Sequence, residues 1–596
     1  MREPLIIANA SGFYGDRLSA PEEILRGGPI HVLTGDYLAE LTMAILHRAR
    51  LRDGRLGYAT TFLAQLERIL GECLDRGVRV VTNAGGLNPR GLVAAIEALA
   101  ARLGLAPRVA VVEGDDLAPR IGELLAAGEP LAHMDRGTPL REGEGEVVAA
   151  NAYLGGWGIR EALARGADVV VCGRVADAAL VVGPAAHWFG WQRDDWDRLA
   201  GAAAAGHILE CGTQATGGNY AFFEEVPSFE RVGFPLAEIR EDGSAVITKH
   251  PGTGGLVSVG TVTAQLVYEI DGPRYITPDV IARFDALSLC QEGPDRVLVA
   301  GARGEPPPPT AKVAVLRARG FRGSVTVLLA GLDVEAKAAL LEAQLFAAPG
   351  GKGRFSSVEA RLVRRPRADP TNNEDALGEL RITVTSPDAE EVGRRFSARV
   401  VELALASAPG ITLTAPPGDA TPELVLWPCL VAGARVREVV RLGGEEIPIE
   451  PHQLSRARGA EGGPGAPEEE SAATVHGSAR VRVPLGRAFG ARSGDKGGNA
   501  SLGVWARTPE AYAFLRAYLT TDRLKALLPE TAPLPVDRHE LPNLLALSFV
   551  IRGLLEGGAA GSTRVDPQAK TLAEYLRARV AEVPVTIVMG SARAGA

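Results

Sequence analysis

Carboxylates, a histidine and several cations stand in short glycine-rich runs of this sequence, and three of them suit proton transfer. Asp36 in Thr34-Gly35-Asp36-Tyr37, Asp177 in Arg174-Val175-Ala176-Asp177 and His250 in Lys249-His250-Pro251-Gly252 are the candidate acids and bases. Two carboxylates in unlike surroundings divide into acid and base, and an imidazole titrates near neutral pH. Asn83, Gly85 and Gly86, in Thr82-Asn83-Ala84-Gly85-Gly86, offer a backbone cradle for an anion or a polarised carbonyl at the start of a helix. Asn9 holds a similar place in Asn9-Ala10-Ser11-Gly12. Arg174 carries the fork that grips a carboxylate or phosphate through two parallel bonds, and Lys249, Gly254 and Gly255 join a cation to a glycine-rich helix start. Further on, Arg492 and Lys496 in Arg492-Ser493-Gly494-Asp495-Lys496-Gly497-Gly498-Asn499 pair two cations with glycines suited to an anionic group.

Each of these residues also has a plainer use. Aspartates cap helices, paired glycines close tight turns, Arg174 and Asp177 suit an ion pair, His250 before a proline suits packing, and the run 492–499 suits a charged hairpin. The glycine loops match neither the dinucleotide fingerprint nor the Walker A spacing. No GxSxG elbow occurs, so a hydrolase triad of that type is not indicated.

The elements that position these runs are strand–loop–helix units. Val78 to Val81 leads through the paired glycines into an Ala/Leu-rich helix opened by Pro89, and the same order recurs from Leu5 to about Ile270. Short apolar strands alternating with helices predict an α/β fold, a mainly parallel doubly wound sheet over residues 1–270. In such a sheet ligands bind beyond the carboxyl ends of the strands, so Asn9, Asp36, Asn83, Arg174 and His250 are expected to converge there. Over 271–450 the pattern changes to an α+β segment, with Lys312–Arg317 and Ser324–Leu329 expected as a hairpin around Gly320-Phe321-Arg322-Gly323. Residues 451–478, rich in Gly, Pro and Glu, read as a linker. Residues 479–596 then have the order of an open-faced αβ sandwich.

A net charge of −8 over 596 residues gives no electrostatic case for nucleic acid or an anionic membrane as a partner. The five cysteines are scattered without CxxC spacing, which predicts neither a disulfide framework nor a metal site and points to a reducing cytoplasm. Neither a signal peptide nor a run of about 20 apolar residues for a membrane span is read from the sequence. A homo-oligomer is the ordinary expectation for such a chain.

The runs IIANASGFYGDRLSAPEEILRGGPIHVLTGDYLAELTM, VTNAGGLNPRG, CGRVADAAL and KHPGTGGLVSVGTV together resemble the acyclic terpene utilisation (AtuA) family. Beyond the linker, FGARSGDKGGNASLGVWAR and LPNLLALSFVIRGLLEGG resemble the ferredoxin-fold domain that closes its longer members. The resemblance implies a place in catabolism of acyclic terpenes such as citronellol and geraniol, whose intermediates are acyl-CoA thioesters. It thus implies a small-molecule acyl-CoA substrate, with CoA arriving as part of that substrate and no tightly bound cofactor. An enzyme of hydratase or hydrolase type, working by acid–base chemistry, is one expectation, with hydration, hydrolysis or rearrangement as its reaction. A non-catalytic acyl-CoA-binding or assembly subunit of the same pathway is the other.

Overall fold

The computed structural model describes residues 2–141, 145–451 and 479–593. The expected linker lies, but for its first residue, outside the described residues. Contacts divide the chain into two compact units: Met1–Leu140 with Ala149–Val315 and Leu426–Ala596, and a smaller one of Arg141–Val148 with Leu316–Val425.

Eleven strands of the first unit form one sheet. They are β1 (Leu5–Asn9), β2 (Val32–Gly35), β3 (Arg79–Thr82), β4 (Val109–Glu113), β5 (Val169–Cys172), β6 (Pro235–Ile239), β7 (Ala245–Lys249), β8 (Ser288–Gly293), β9 (Arg296–Ala300), β10 (Val439–Leu442) and β11 (Glu445–Pro448). Their order is β8-β9-β7-β6-β1-β2-β3-β5-β4-β10-β11. The middle, β1-β2-β3-β5-β4, is parallel. Both flanks are antiparallel, so the sheet is mixed, unlike the mainly parallel doubly wound sheet expected, and parallel pairing is confined to its centre. The reason is local: Asp242-Gly243, with Gly243 at φ +88°, turns β6 straight back into β7, and Gly443-Gly444 does the same between β10 and β11. Strands β8 to β11 also carry part of the 271–450 stretch into this sheet, leaving 316–425 as the α+β part.

Helices cover both faces, and the strand alternation shows why. Ala8, Leu33, Val80 and Val171 face α1 (Ala20–Gly27), α3 (Thr60–Arg76) and α4 (Pro89–Leu103), burying Ile24, Leu66 and Ile96; α2 (Glu40–Arg52) lies between them in sequence. Ile7, Val32, Val81 and Val170 face α5 (Trp157–Ala164), α6 (Ala179–Phe189) and α7 (Trp196–Leu209). Helix α7 reads WDRLAGAAAAGHIL and is buried from Leu199 to Leu209. Its small residues admit close neighbours: a Cβ on Gly206 would come 2.8 Å from the Ala178 Cα.

The C-terminal part has its own antiparallel sheet of β12 (Gly490–Lys496), β13 (Asn499–Trp505), β14 (Val536–Leu541) and β15 (Ala546–Ile551), in the order β12-β13-β15-β14. The charged run 492–499 is thus two paired strands joined by a Gly497-Gly498 turn. Trp505, Leu541, Leu544 and Ala546 join the hydrophobic cluster that contains α7.

In the second unit Ser357–Arg364, Leu377–Ser386, residues 316–330 of the strand Thr310–Ala330, and Ile411–Leu413 form an antiparallel sheet. The hairpin expected around Gly320–Gly323 is instead uninterrupted strand. Gly323 serves close packing there, since a Cβ would collide with the Val392 carbonyl oxygen.

Candidate acid–base site

The carboxyl ends of β1, β2, β3 and β5 bring buried polar side chains to the end of α7. Asn9, closing β1, donates from Nδ2 to the carbonyls of Leu209 (2.6 Å) and Glu210 (3.2 Å), tying the sheet edge to the last turn of α7. Asn83, after β3, donates from Nδ2 to Asp36 Oδ1 at 2.6 Å and accepts from the Tyr37 amide at 2.8 Å. It therefore aims the Asp36 carboxylate. Beyond β5 the Arg174 guanidinium donates to Asp177 Oδ1 at 2.6 Å, while its own amide donates to Asp115 Oδ2 at 2.8 Å. The same guanidinium lies 4.2 Å over the Tyr153 ring, and the Tyr153 hydroxyl donates to Glu40 Oε1 at 3.1 Å.

Burial and like charge set the protonation of this group. Burial first, then the Asp177 charge, raises Asp36 well above the ordinary carboxylate range, against the pull of Arg174 and the Asn83 hydrogen bond. Burial also raises Glu210 strongly, assisted by Asp177 and Glu269 and opposed by Lys496 and Arg174. His207 is driven down to about 4 by burial and then by Lys496. His207 Nε2 lies 3.0 Å from the Gln265 carbonyl, which only accepts, so Nε2 bears the proton of a neutral ring. Nδ1 is then a free lone pair 3.1 Å from Glu210 Oε1, and Glu210 Oε2 is buried without a hydrogen-bond partner among the described residues. The pair sets a carboxyl group whose proton burial favours beside a neutral imidazole nitrogen. Burial opposes the charge of Glu40, but Lys312 and Arg174 outweigh it and hold Glu40 at about 2.

The C-terminal sheet closes over this cluster. Lys496 donates to the Glu269 carbonyl at 2.9 Å, and Lys570 reaches Glu269 Oε1 at 2.7 Å and Asp495 Oδ1 at 3.3 Å. Burial, then Glu269, pushes Asp495 up to about 7 against the pull of Lys570. Arg492 donates to the Asn219 carbonyl at 2.8 Å and to Gln214 Oε1, and lies 4.5 Å over the Tyr268 ring. The Cys211–Asn219 turn is thereby fastened to β12.

A family model described as acyclic terpene utilisation family protein AtuA matches residues 5–442. The chain belongs to the AtuA family. A second model, the AtuA ferredoxin-like domain, matches residues 483–581, and no curated protein matches the chain. The AtuA-matched part carries Asp36, Arg174, Asp177, His207 and Glu210, and the ferredoxin-like part carries Arg492, Asp495, Lys496 and Lys570. Membership ties the chain to acyclic terpene utilisation.

Of the residues singled out in the sequence, the AtuA core brings Asn9, Asp36, Asn83, Arg174 and Asp177 together, and the ferredoxin-like domain adds Lys496, with Arg492 at the seam. The others lie apart or are spent. The amides of Gly85 and Gly86 donate to the carbonyls of Cys172 and Asn83, so that loop has no free cradle there. Gly254 and Gly255 donate to Arg231 and Ser228 in the same way. Lys249 is held by Asp295 at 2.9 Å and the Thr253 carbonyl at 3.0 Å. His250 packs on the end of α1, where a Cβ on Gly28 would come 3.1 Å from its ring. Sequence reasoning passed over Glu210, His207, Glu269, Lys570, Glu40, Lys312 and Tyr153. The signal for the first two was present as His207-Ile208-Leu209-Glu210, a three-residue spacing that ends a helix too rich in small residues to be anything but buried.

Proposed function

We propose that this AtuA-family chain is an enzyme of acyclic terpene or related branched-chain catabolism that acts on a CoA thioester by acid–base chemistry. One observation carries the reading: Glu210, whose proton burial and the Asp177 and Glu269 charges favour, stands 3.1 Å from His207 Nδ1 and within electrostatic reach of Asp177, which Arg174 holds at 2.6 Å. A cation polarises a thioester carbonyl and stabilises the enolate that forms when the α-carbon loses its proton or an unsaturated thioester gains hydroxide at its β-carbon, and equally the tetrahedral oxyanion that forms when water adds to the carbonyl. Arg174 and Lys496 supply that charge. Asp177, oriented by Arg174, activates water or removes the carbon-bound proton, and Glu210 returns a proton, with His207 Nδ1 as the relay. Hydration, hydrolysis and double-bond rearrangement all use this set of roles. CoA enters with the substrate and no other cofactor is required by the scheme.

Mass spectrometry of branched acyl-CoA thioesters incubated with the protein tests the reading. Turnover is expected, and Glu210→Gln and Asp177→Asn should each lower kcat by about 10²-fold or more with KM changed little. Thioester binding without turnover, with the pathway partners present, would instead establish the acyl-CoA-binding subunit; neither binding nor turnover would remove both.

A further inference from the structure

The second unit contains an apolar cavity of about 180 Å³ between its sheet and its helices. We propose that this cavity is a binding site for a short aliphatic chain, a proposal independent of the acid–base reading. Val325, Val327 and Ile382 form its floor, and Leu341, Leu345 and Leu403 form its walls. All six are at most 6% exposed, and no titratable side chain lines it.

Water has little to hold it there. A buried water needs two to four polar partners, whereas the floor residues are paired through the sheet ladder, Val325 with Ile382 and Val327 with Leu380 and Leu413. An engineered aliphatic cavity of ~150 Å³ stays dry and takes up benzene, and this one is of that size or somewhat larger.

Polar bonds brace the helix beside the cavity. Gln344, on the helix Val334–Leu345, donates to the Ala406 carbonyl at 2.8 Å and accepts from the Ser407 hydroxyl at 2.6 Å. Its own carbonyl accepts from Arg399, on the helix Phe396–Glu402, at 3.2 Å. These bonds tie the helix to the chain segments on the far side of the gap. Ala404 and Thr412 are exposed at its mouth. A ligand would therefore bury an alkyl end and leave a polar end beside the Thr412 hydroxyl.

Two sources fit that chemistry: a free aliphatic alcohol, or the acyl end of a thioester, each represented by a seven-carbon probe. The test uses the full chain with 5-methylhexan-1-ol and with 5-methylhexanoyl-CoA, read by calorimetric titration and by the unfolding midpoint. Saturable binding of the alcohol and a midpoint rise of roughly 2 °C or more are expected at ligand well above its Kd. Val327→Phe fills the floor and Ala404→Phe plugs the exposed mouth, and each should abolish alcohol binding in a chain that still unfolds cooperatively. Gln344→Ala should weaken it. If the thioester also binds and loses affinity in these variants, the occupant is an acyl chain; if only the alcohol does so, it is a free hydrocarbon. No binding of either probe to the wild-type chain, or binding undiminished in both phenylalanine variants, would overturn the proposal.

Discussion

Glu210 is the residue on which the proposed chemistry turns, because opposed charges set its proton affinity. Glu269 and Asp177 push it up, and Lys496 and Arg174 pull it down, all on top of burial. An acid that must be protonated to work gives a rate that falls as pH rises through its raised value. Removing a neighbour must then move that alkaline limb in a direction fixed by the sign of the lost charge. Lys496→Ala should shift the limb to higher pH and Glu269→Gln to lower pH, whatever either does to the maximal rate. A merely structural role for Glu210 would leave the two limbs where they are. pH profiles of the two variants against wild type provide the measurement.

At the scale of the element, the turn into α5 shows how a buried helix start becomes a pH-dependent joint. The amide of Gly156 donates to both carboxylate oxygens of Asp279, at 3.0 and 2.9 Å, and that of Gly158 to Glu438 Oε1 at 2.8 Å. Burial raises Asp279 to about 6, and burial together with the Asp279 charge raises Glu438 to about 8. The folded chain keeps protons here that the unfolded chain releases near pH 4, so these groups make stability fall as pH rises. Asp279 contributes to that fall up to about 6 and Glu438 up to about 8, each with a limiting slope of ~1.4 kcal/mol per pH unit. Glu438→Gln should flatten the curve between pH 6 and 8, measured by denaturant unfolding at several pH values; an unchanged slope would show that Glu438 is ionised in the folded chain. The parallel centre of the sheet was legible because each strand there runs into its own loop and helix, as Val78 to Leu99 does. The antiparallel flanks were not, although Asp242-Gly243 marks a turn, because Val246–Thr248 before a glycine run imitates one more strand–loop–helix unit. Asp36 and Asp177 were legible as polar residues at strand ends. Asn83 was legible as a polar residue closing a strand but not as the one that aims Asp36, since its partner comes from 47 positions away, a distance no local pattern encodes.

The whole molecule adds what neither stretch of sequence discloses, that the site is completed by a second fold. Trp505 stacks on Tyr220 at 6.3 Å, and with Leu541, Leu544 and Ala546 it belongs to the same core cluster as α7. Around this apolar contact Asn499 donates to Asp135 at 2.7 Å, Asn543 donates to the carbonyls of Phe284 and Leu287 at 2.9 and 2.8 Å, and Arg507 pairs with Glu225 at 2.5 Å. An interface whose centre is dry and aromatic is held chiefly by burial, and its charged rim chiefly positions the parts. The two roles separate experimentally. With a protease site placed within residues 451–478, the cleaved chain should elute as one species and keep its thioester chemistry, and moderate salt should not part the pieces. Lys496→Ala, with Arg492→Ala beside it, should lower turnover severalfold while leaving the pieces together. Trp505→Ala, which removes the aromatic anchor, should let them separate after cleavage and take activity with it. Separation of the wild-type pieces on cleavage, or full activity of the separated N-terminal piece, would show that the ferredoxin-like domain is an appendage and that Lys496 has no part in the site.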